Sequence, residues 1–113
     1  MEVPERDVEY YNTEDGRQPF RDSLHSLRDR EGRRKIWARI DRVSLGNLGY
    51  CASVGEGVME LKIEVGPGYR VYFGQVGKKL VILLCGGDKS TQKSDIRAAH
   101  KYWADYWRHH VEG

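Results

Sequence analysis

Three basic residues, each on or next to a predicted strand, are the part of this sequence best suited to chemistry. Lys62 lies in the run ELKIEV, Arg70 in GPGYRVYF and Lys89 in GGDKST. Side chains alternate between the two faces of a strand, so Lys62 and Arg70 face away from a core that contains Leu61 and Ile63. Cations gathered on one open sheet face suit a phosphodiester, because they hold phosphate oxygens and stabilise developing negative charge. From the pattern alone, solvated surface charges are the commoner explanation.

The strands that must position these cations are three apolar-rich runs separated by glycine-bearing turns. Apolar and polar residues alternate over 59–65 and 69–73, whereas 80–85 is apolar throughout. Runs bounded by Gly and Pro predict consecutive antiparallel strands, and the third is expected to be the most buried. Tyr72 lies on the face of Arg70 and is a candidate for stacking on a base, although a surface tyrosine needs no such role.

The rest of the chain predicts one further strand and three helices. The first strand is expected at 8–11, and Pro19 opens a short helix that ends near Gly32. A second helix is predicted over 33–45, a glycine-punctuated loop follows, and the last helix begins near Ser90 or Thr91. This order predicts an α+β fold: an antiparallel, mostly meander sheet, with an N-terminal αα-hairpin and a C-terminal helix packed on one side.

The second predicted helix carries many basic residues. Arg34, Lys35 and Arg39 are candidate contacts to an RNA backbone, because clustered positive charge attracts phosphates. The commoner explanation is that such a run forms the solvated face of an amphipathic helix.

Length and composition favour one globular domain over residues 1–113, with 39% hydrophobic residues and a net charge of +2. The chain contains no apolar run long enough to span a membrane, and its charged start predicts no signal peptide. We therefore expect cytoplasmic residence and no membrane partner. The isoelectric point of about 8.6 permits a nucleic-acid partner without requiring one.

Cofactor and metal chemistry finds little support in the sequence. Cys51 and Cys85 lack CxxC spacing and are expected to be reduced, and the four histidines lack metal-ligand spacing. The glycine-rich segments fit neither GxGxxG nor GxxxxGK[ST], so no nucleotide cofactor is predicted. Catalysis would therefore depend on Lys, Arg, Tyr or Asp.

Three segments carry a resemblance to a known family: RIDRVSLGNLG, VGEGVMELKIEVGPGYRVYF and LLCGGDKSTQKSDI. Over residues 20–103 the chain resembles the RelE/HigB superfamily of toxin–antitoxin killer proteins, and most of all its phage-derived addiction-module subgroup. The resemblance implies a RelE-like fold and a small, metal-independent endoribonuclease that cuts messenger RNA on the ribosome and arrests translation. It also implies a cognate antitoxin, frequently of the helix-turn-helix type, so that DNA is contacted only through the antitoxin.

The family's functional residues map onto particular positions of this chain. Arg70 matches the arginine of the family's GYR motif, which contacts the scissile phosphate, and Lys89 matches the basic residue after the last strand. Lys62 stands where the subgroup usually has arginine, and Ala52 where it commonly has lysine. Asp95 lies near the position of a catalytic tyrosine in some relatives and is counted among the RNA-binding candidates.

The reaction implied is attack of the RNA 2′-OH on the adjacent phosphorus, which leaves a 2′,3′-cyclic phosphate. Lys62 is the candidate base or charge stabiliser, Arg70 clamps the phosphate, and Lys89 assists charge neutralisation or departure of the 5′ oxygen. Two alternatives remain on the same fold. One is a non-catalytic poison of gyrase, and the other is a decayed binding or regulatory module.

Overall fold

The computed structural model describes residues 5–112. Its elements are, in chain order, β1 (Asp7–Tyr10), α1 (Pro19–Ser26), α2 (Arg30–Ser44), β2 (Cys51–Ser53), β3 (Met59–Ile63), β4 (Tyr69–Val76), β5 (Leu80–Asp88) and α3 (Gln92–Trp107). A 3₁₀ turn, Lys89–Thr91, joins β5 to α3, and a π-helical turn, Arg108–Glu112, follows α3. Two predictions extend outside the described residues: the signal-peptide prediction includes 1–4, and the single-domain prediction includes 1–4 and 113. No helix within 5–112 is long and apolar enough to cross a membrane.

The five strands form one mixed sheet in the order β1-β5-β4-β3-β2. Strands β2 to β5 pair antiparallel, whereas β1 runs parallel to β5, with Val8 opposite Val81 and Tyr10 opposite Leu83. The α+β class is confirmed, and the prediction of an antiparallel sheet is wrong at this edge. Periodicity identified β1 as a strand, but it carries no information about a partner so distant in sequence. Strand β2 lies inside the predicted loop and is too short to show alternation.

Helices α1 and α2 pack on one face of the sheet around the predicted apolar residues. The helix side contributes Phe20, Leu24, Ile36, Ile40 and Val43, and the strand side includes Leu61, Ile63, Val71, Phe73, Val81 and Leu83. Pro19 stands at the start of α1, and Asp29 caps α2 by accepting a hydrogen bond from the Gly32 amide at 3.0 Å. The RelE-like arrangement of these two helices as a hairpin stays a prediction.

Helix α3 covers the opposite face, so the prediction of an open sheet face is wrong. Its residues Ala99 and Trp103 pack with Tyr72, Ile82 and Leu84. The sequence contained the signal, because a continuous apolar run such as 80–85 of β5 is typical of a strand buried on both faces. The ring of Trp103 lies where a Cβ atom at residue 74 would stand, which makes glycine necessary there.

Candidate functional site

The strand register brings the predicted cations to one end of the sheet, beneath α3. Lys62 of β3 is the direct partner of Arg70 on β4, and Arg70 in turn is the partner of Gly87 on β5. The Arg70 guanidinium and the Lys89 side chain both lie against Gly68, which leaves room for them because it has no Cβ atom. The structure thus gathers the three residues that the sequence singled out.

Arg70 is buried, contrary to the expectation of an exposed cation, with 7% of its surface accessible. Its Nη1 donates a hydrogen bond to the Gly68 carbonyl at 2.5 Å, whereas its Nε is buried without a partner. Within residues 5–112, Arg70 forms no ion pair. Burying a cation with an unfilled donor is costly, so a site of this kind favours binding of an anion.

A hydrogen-bonded carboxylate lies beside the cations. Glu60 is 2% exposed, and its Oε2 accepts hydrogen bonds from the Tyr72 hydroxyl at 2.9 Å and from Gln92 Nε2 at 2.8 Å. Burial is the main cause that raises the pKa of Tyr72, and the hydrogen bond to Glu60 raises it further. The Tyr72 hydroxyl therefore stays protonated at neutral pH. The Tyr72 ring is fully buried beneath α3, so the prediction that it stacks on a base is wrong.

Sequence reasoning did not select Glu60 or Gln92. Alternation alone places Glu60 on the face of Lys62, and the antiparallel register sets it opposite Tyr72. The contact between Glu60 and Tyr72 could therefore have been predicted, because the pairing of β3 with β4 sets a charged residue opposite a tyrosine. Gln92 had no such signal, because its contact depends on how the first turn of α3 meets the sheet.

Two aspartates flank the site with opposite pKa shifts. Asp95 is half-buried, and burial raises its pKa although Thr91 Oγ1 donates a hydrogen bond to its Oδ2 at 2.5 Å. Asp88 caps the 3₁₀ turn and accepts hydrogen bonds from the Ser90 hydroxyl and amide, which lower its pKa. The Asp95 carboxylate occupies the place that a Cβ atom at Gly87 would take. Asp95 therefore contacts Gly87, the residue that pairs with Arg70 in the sheet.

Two of the cations selected on α2 lie on its solvent-exposed face. Arg34 Nη2 is 2.7 Å from Glu31 Oε2, and Lys35 Nζ is 4.0 Å from Glu31 Oε1. All three side chains are more than half exposed, so these pairs contribute little stability. Both cations remain accessible to a partner, and RNA binding by them stays a prediction.

The RNA-contact prediction is wrong for Arg39, which is buried. Its Nη2 donates hydrogen bonds to the carbonyls of Leu48 and, at 3.2 Å, of Tyr50. Burial is the main cause that lowers its pKa. Position 39 lies on the helical stripe of Ile36 and Ile40, so helical periodicity could have predicted its burial. Arg39 therefore holds the loop that follows α2.

Neither the cysteines nor the histidines form a metal centre within 5–112, where no group of three or more potential ligands is found. Both cysteines are free, and burial raises the pKa of the Cys85 thiol to about 12. The groups that the structure brings to this end of the sheet are cations and hydrogen-bonded carboxylates. Such a set of groups can hold a phosphate and stabilise negative charge on it.

Comparisons with known proteins cover this same region. The family model for phage derived protein Gp49-like (DUF891) matches residues 22–102, a span that includes the three cations, Glu60 and Asp95. An uncharacterized protein of Haemophilus influenzae is 51% identical over 76 residues, which are 67% of this chain and 77% of that protein.

Proposed function

The chain belongs to the phage-derived Gp49-like family, a family related to toxin–antitoxin toxins, and on that basis we propose that it is the toxin of a type II toxin–antitoxin system. We propose that it is a cytoplasmic endoribonuclease that cleaves messenger RNA on the ribosome, without a metal ion. The observation that carries this proposal is Arg70, a buried guanidinium with an unfilled Nε donor. Lys62 is its partner across the strands, and Lys89 lies against the same glycine, Gly68.

In the proposed reaction, the RNA 2′-oxygen attacks the adjacent phosphorus and the bond from phosphorus to the 5′ oxygen breaks. The products are a 2′,3′-cyclic phosphate and a 5′-hydroxyl. Arg70 binds the non-bridging phosphate oxygens through charge-assisted hydrogen bonds. In its neutral form Lys62 takes the 2′ proton, and the Lys89 ammonium donates a proton to the 5′ oxygen as it leaves. As an ammonium, Lys62 instead stabilises the charge while solvent water takes the 2′ proton.

Replacement of Arg70 tests the proposal. We expect Arg70→Met, which keeps apolar volume but removes the cation, to reduce RNA cleavage by at least about a hundredfold, the order for losing one transition-state donor. Arg70→Lys should recover only part of the rate, because lysine cannot bind phosphate with two parallel hydrogen bonds. The measurements are primer extension on messenger RNA from arrested cells and a melting curve of each variant.

The matched control is Arg21→Met, which removes an exposed arginine of α1 that has no proposed contact to RNA. This control should cleave RNA like the unaltered protein. If Arg70→Met melts normally and still cleaves at the full rate, the cation cluster is not the active site. Early loss of thymidine incorporation, with methionine incorporation continuing, would instead favour the gyrase poison.

We also propose a cognate antitoxin as partner, with an acidic segment that contacts the basic outer face of α2. Opposite charges favour such an encounter, and two exposed side chains, Trp37 on α2 and Leu45 directly after it, supply apolar area. Charge reversal at Arg34 and Arg42 should weaken binding of the antitoxin, measured by titration calorimetry. Unchanged affinity would exclude this face as the interface.

A further inference from the structure

A cavity of about 220 Å³ opens between α1, the α1–α2 connection and the ends of β4 and β5. The buried side chains of Phe20, Leu24 and Val71 line its inner part. Hydrogen-bonding residues, among them Ser26 and Arg28, also line it. This volume is below the roughly 300–1,000 Å³ of sites for drug-sized ligands, so the cavity suits one ring system.

Hydrogen bonds across the α1–α2 connection fix the wall of this cavity. Asp29 Oδ2 accepts a hydrogen bond from the Tyr69 hydroxyl of β4 at 2.6 Å, and Arg33 Nη1 donates to the Leu27 carbonyl at 3.0 Å. The bond to Asp29 raises the pKa of Tyr69 to about 12, so this hydroxyl remains a donor at neutral pH. Because the connection is tied to both β4 and α2, the cavity is formed before a ligand enters.

The two consecutive glycines of β5 have different roles at this cavity. A Cβ atom at Gly87 would overlap the Asp95 carboxylate, so packing alone requires glycine there. A Cβ atom at Gly86 would stand 3.6 Å from the Phe20 ring and 3.3 Å from the Arg70 carbonyl oxygen. A Cβ atom there would be in ordinary contact with the Phe20 ring but would crowd the Arg70 carbonyl, so the close approach of the two strands favours glycine at position 86.

We propose that this cavity binds one unpaired base of the RNA whose phosphate Arg70 holds, an inference that rests on the proposed function. Arg70 and Asp88 line the cavity, and the Arg70 guanidinium lies beside Gly68 and Lys89 at the same end of the sheet. The cavity and the cations thus lie at the same end of the sheet, so one RNA strand can reach both.

The composition of the cavity favours a base over the apolar side chain of a protein partner. A base has apolar faces and hydrogen-bonding edges, and single-stranded RNA is commonly recognised through both. Phe20 offers an aromatic surface, and the Arg28 guanidinium offers donors for the edges. The Ser26 hydroxyl donates to the Ser23 carbonyl at 2.8 Å, so its oxygen is left to accept a hydrogen bond from a base. A leucine or phenylalanine from a partner would use only the apolar wall.

Binding of short RNAs with one missing base tests this site directly. The probes are 2′-O-methyl tetranucleotides, each abasic at a different position, and binding is measured by fluorescence anisotropy. They lack the attacking hydroxyl, so binding is measured independently of cleavage. For the unaltered protein, one abasic position should weaken binding by about tenfold and the others should have little effect, since a stacked base contributes at this order.

Ser26→Trp places a large side chain at the mouth of the cavity and should remove this dependence on position. His25→Trp is the matched control, because His25 lies in the same turn of α1, is exposed and does not line the cavity. Gly86→Ala is a second variant, which narrows the cavity from the strand side. Melting curves establish that each variant is folded.

Equal weakening at every abasic position in the unaltered protein would overturn the inference. So would a folded Ser26→Trp protein that keeps the dependence on position, or one that loses only binding of a protein partner. If the unaltered protein shows the dependence on position yet cleaves no RNA, the base site stands and the nuclease fails. If it cleaves RNA without such dependence, the nuclease stands and the base site fails.

Discussion

The two faces of the sheet are both buried, but they are built from different chemistry. The core between the sheet and the helices α1 and α2 is formed by apolar side chains and the aromatic body of Tyr69. The face under α3 combines an apolar cluster with Glu60, Arg70 and the buried hydroxyl of Tyr72. The first face is apolar and forms the inner wall of the cavity proposed for a base, whereas the second places charged groups that can bind an anion. Burial alone therefore does not distinguish a structural face from a functional one.

Two adjacent residues of β4 represent this difference. Phe73 faces α1 and α2, Tyr72 faces α3, and both have 0% of their surface accessible. The register between β4 and β5 shifts between these two residues. Phe73 needs only packing, but Tyr72 also needs an acceptor, which Glu60 provides. Substitutions at this pair measure what each face contributes.

Truncation on the apolar face should have the largest effect on stability. We expect Phe73→Ala to lower the free energy of unfolding by about 3–5 kcal/mol, because it removes a fully buried ring and leaves a cavity. Chemical denaturation measures the change. RNA cleavage per folded molecule should stay unchanged, since Phe73 does not face the cations. A loss of cleavage in protein shown to be folded would mean that the two faces are not separable.

The sequence predicted the helices and strands better than it predicted which of them pair or pack together. Helical periodicity found α1, α2 and α3, and alternation found β3 and β4, because these patterns arise from local geometry. The parallel pairing of β1 with β5 depends on residues far apart in the chain and left no local pattern. The burial of the sheet face beneath α3 was predictable from the continuous apolar run of β5, because such a run requires burial on both sides of the strand.

Prediction of the candidate site had the same limits. Lys62, Arg70 and Lys89 were selected by residue type and do lie near one end of the sheet, although their roles stay predictions. The burial of Arg70 was not predicted, because the turn at Gly68 and the position of α3 determine it. The role expected of Arg39 was wrong because the prediction considered its charge and did not consider its position on the buried stripe of α2.

Removal of the Tyr72 hydroxyl should have a smaller effect, and it sharpens the comparison with Phe73. We expect Tyr72→Phe to lower the free energy of unfolding by about 1–3 kcal/mol, because the buried Glu60 carboxylate loses a donor and no cavity forms. Tyr50→Phe is the control, since Tyr50 is 74% exposed and should leave stability unchanged. A Tyr72→Phe protein as stable as the unaltered one would show that the polar contacts under α3 contribute nothing to folding.

The smallest expected effect concerns pH and the two aspartates beside Arg70. Burial raises the pKa of Asp95 in the folded protein, so its favourable contribution is complete below the unfolded value, about 3.9, and is lost as pH rises through the folded pKa. The pKa of Asp88 is lowered by its bonds to Ser90, so its contribution is present above that value and is lost as pH falls through the folded pKa.

Asparagine cannot ionise but keeps an oxygen that can accept the same hydrogen bonds, so substitution isolates the ionisation. From pH 3 to pH 7, the stability of Asp95→Asn relative to the unaltered protein should therefore increase, and that of Asp88→Asn should decrease. Thermal melts of the three proteins across this range measure both trends. Burial against β5 opposes ionisation at Asp95, and capping of the 3₁₀ turn favours ionisation at Asp88. Trends of the same sign would therefore contradict the difference between these two positions.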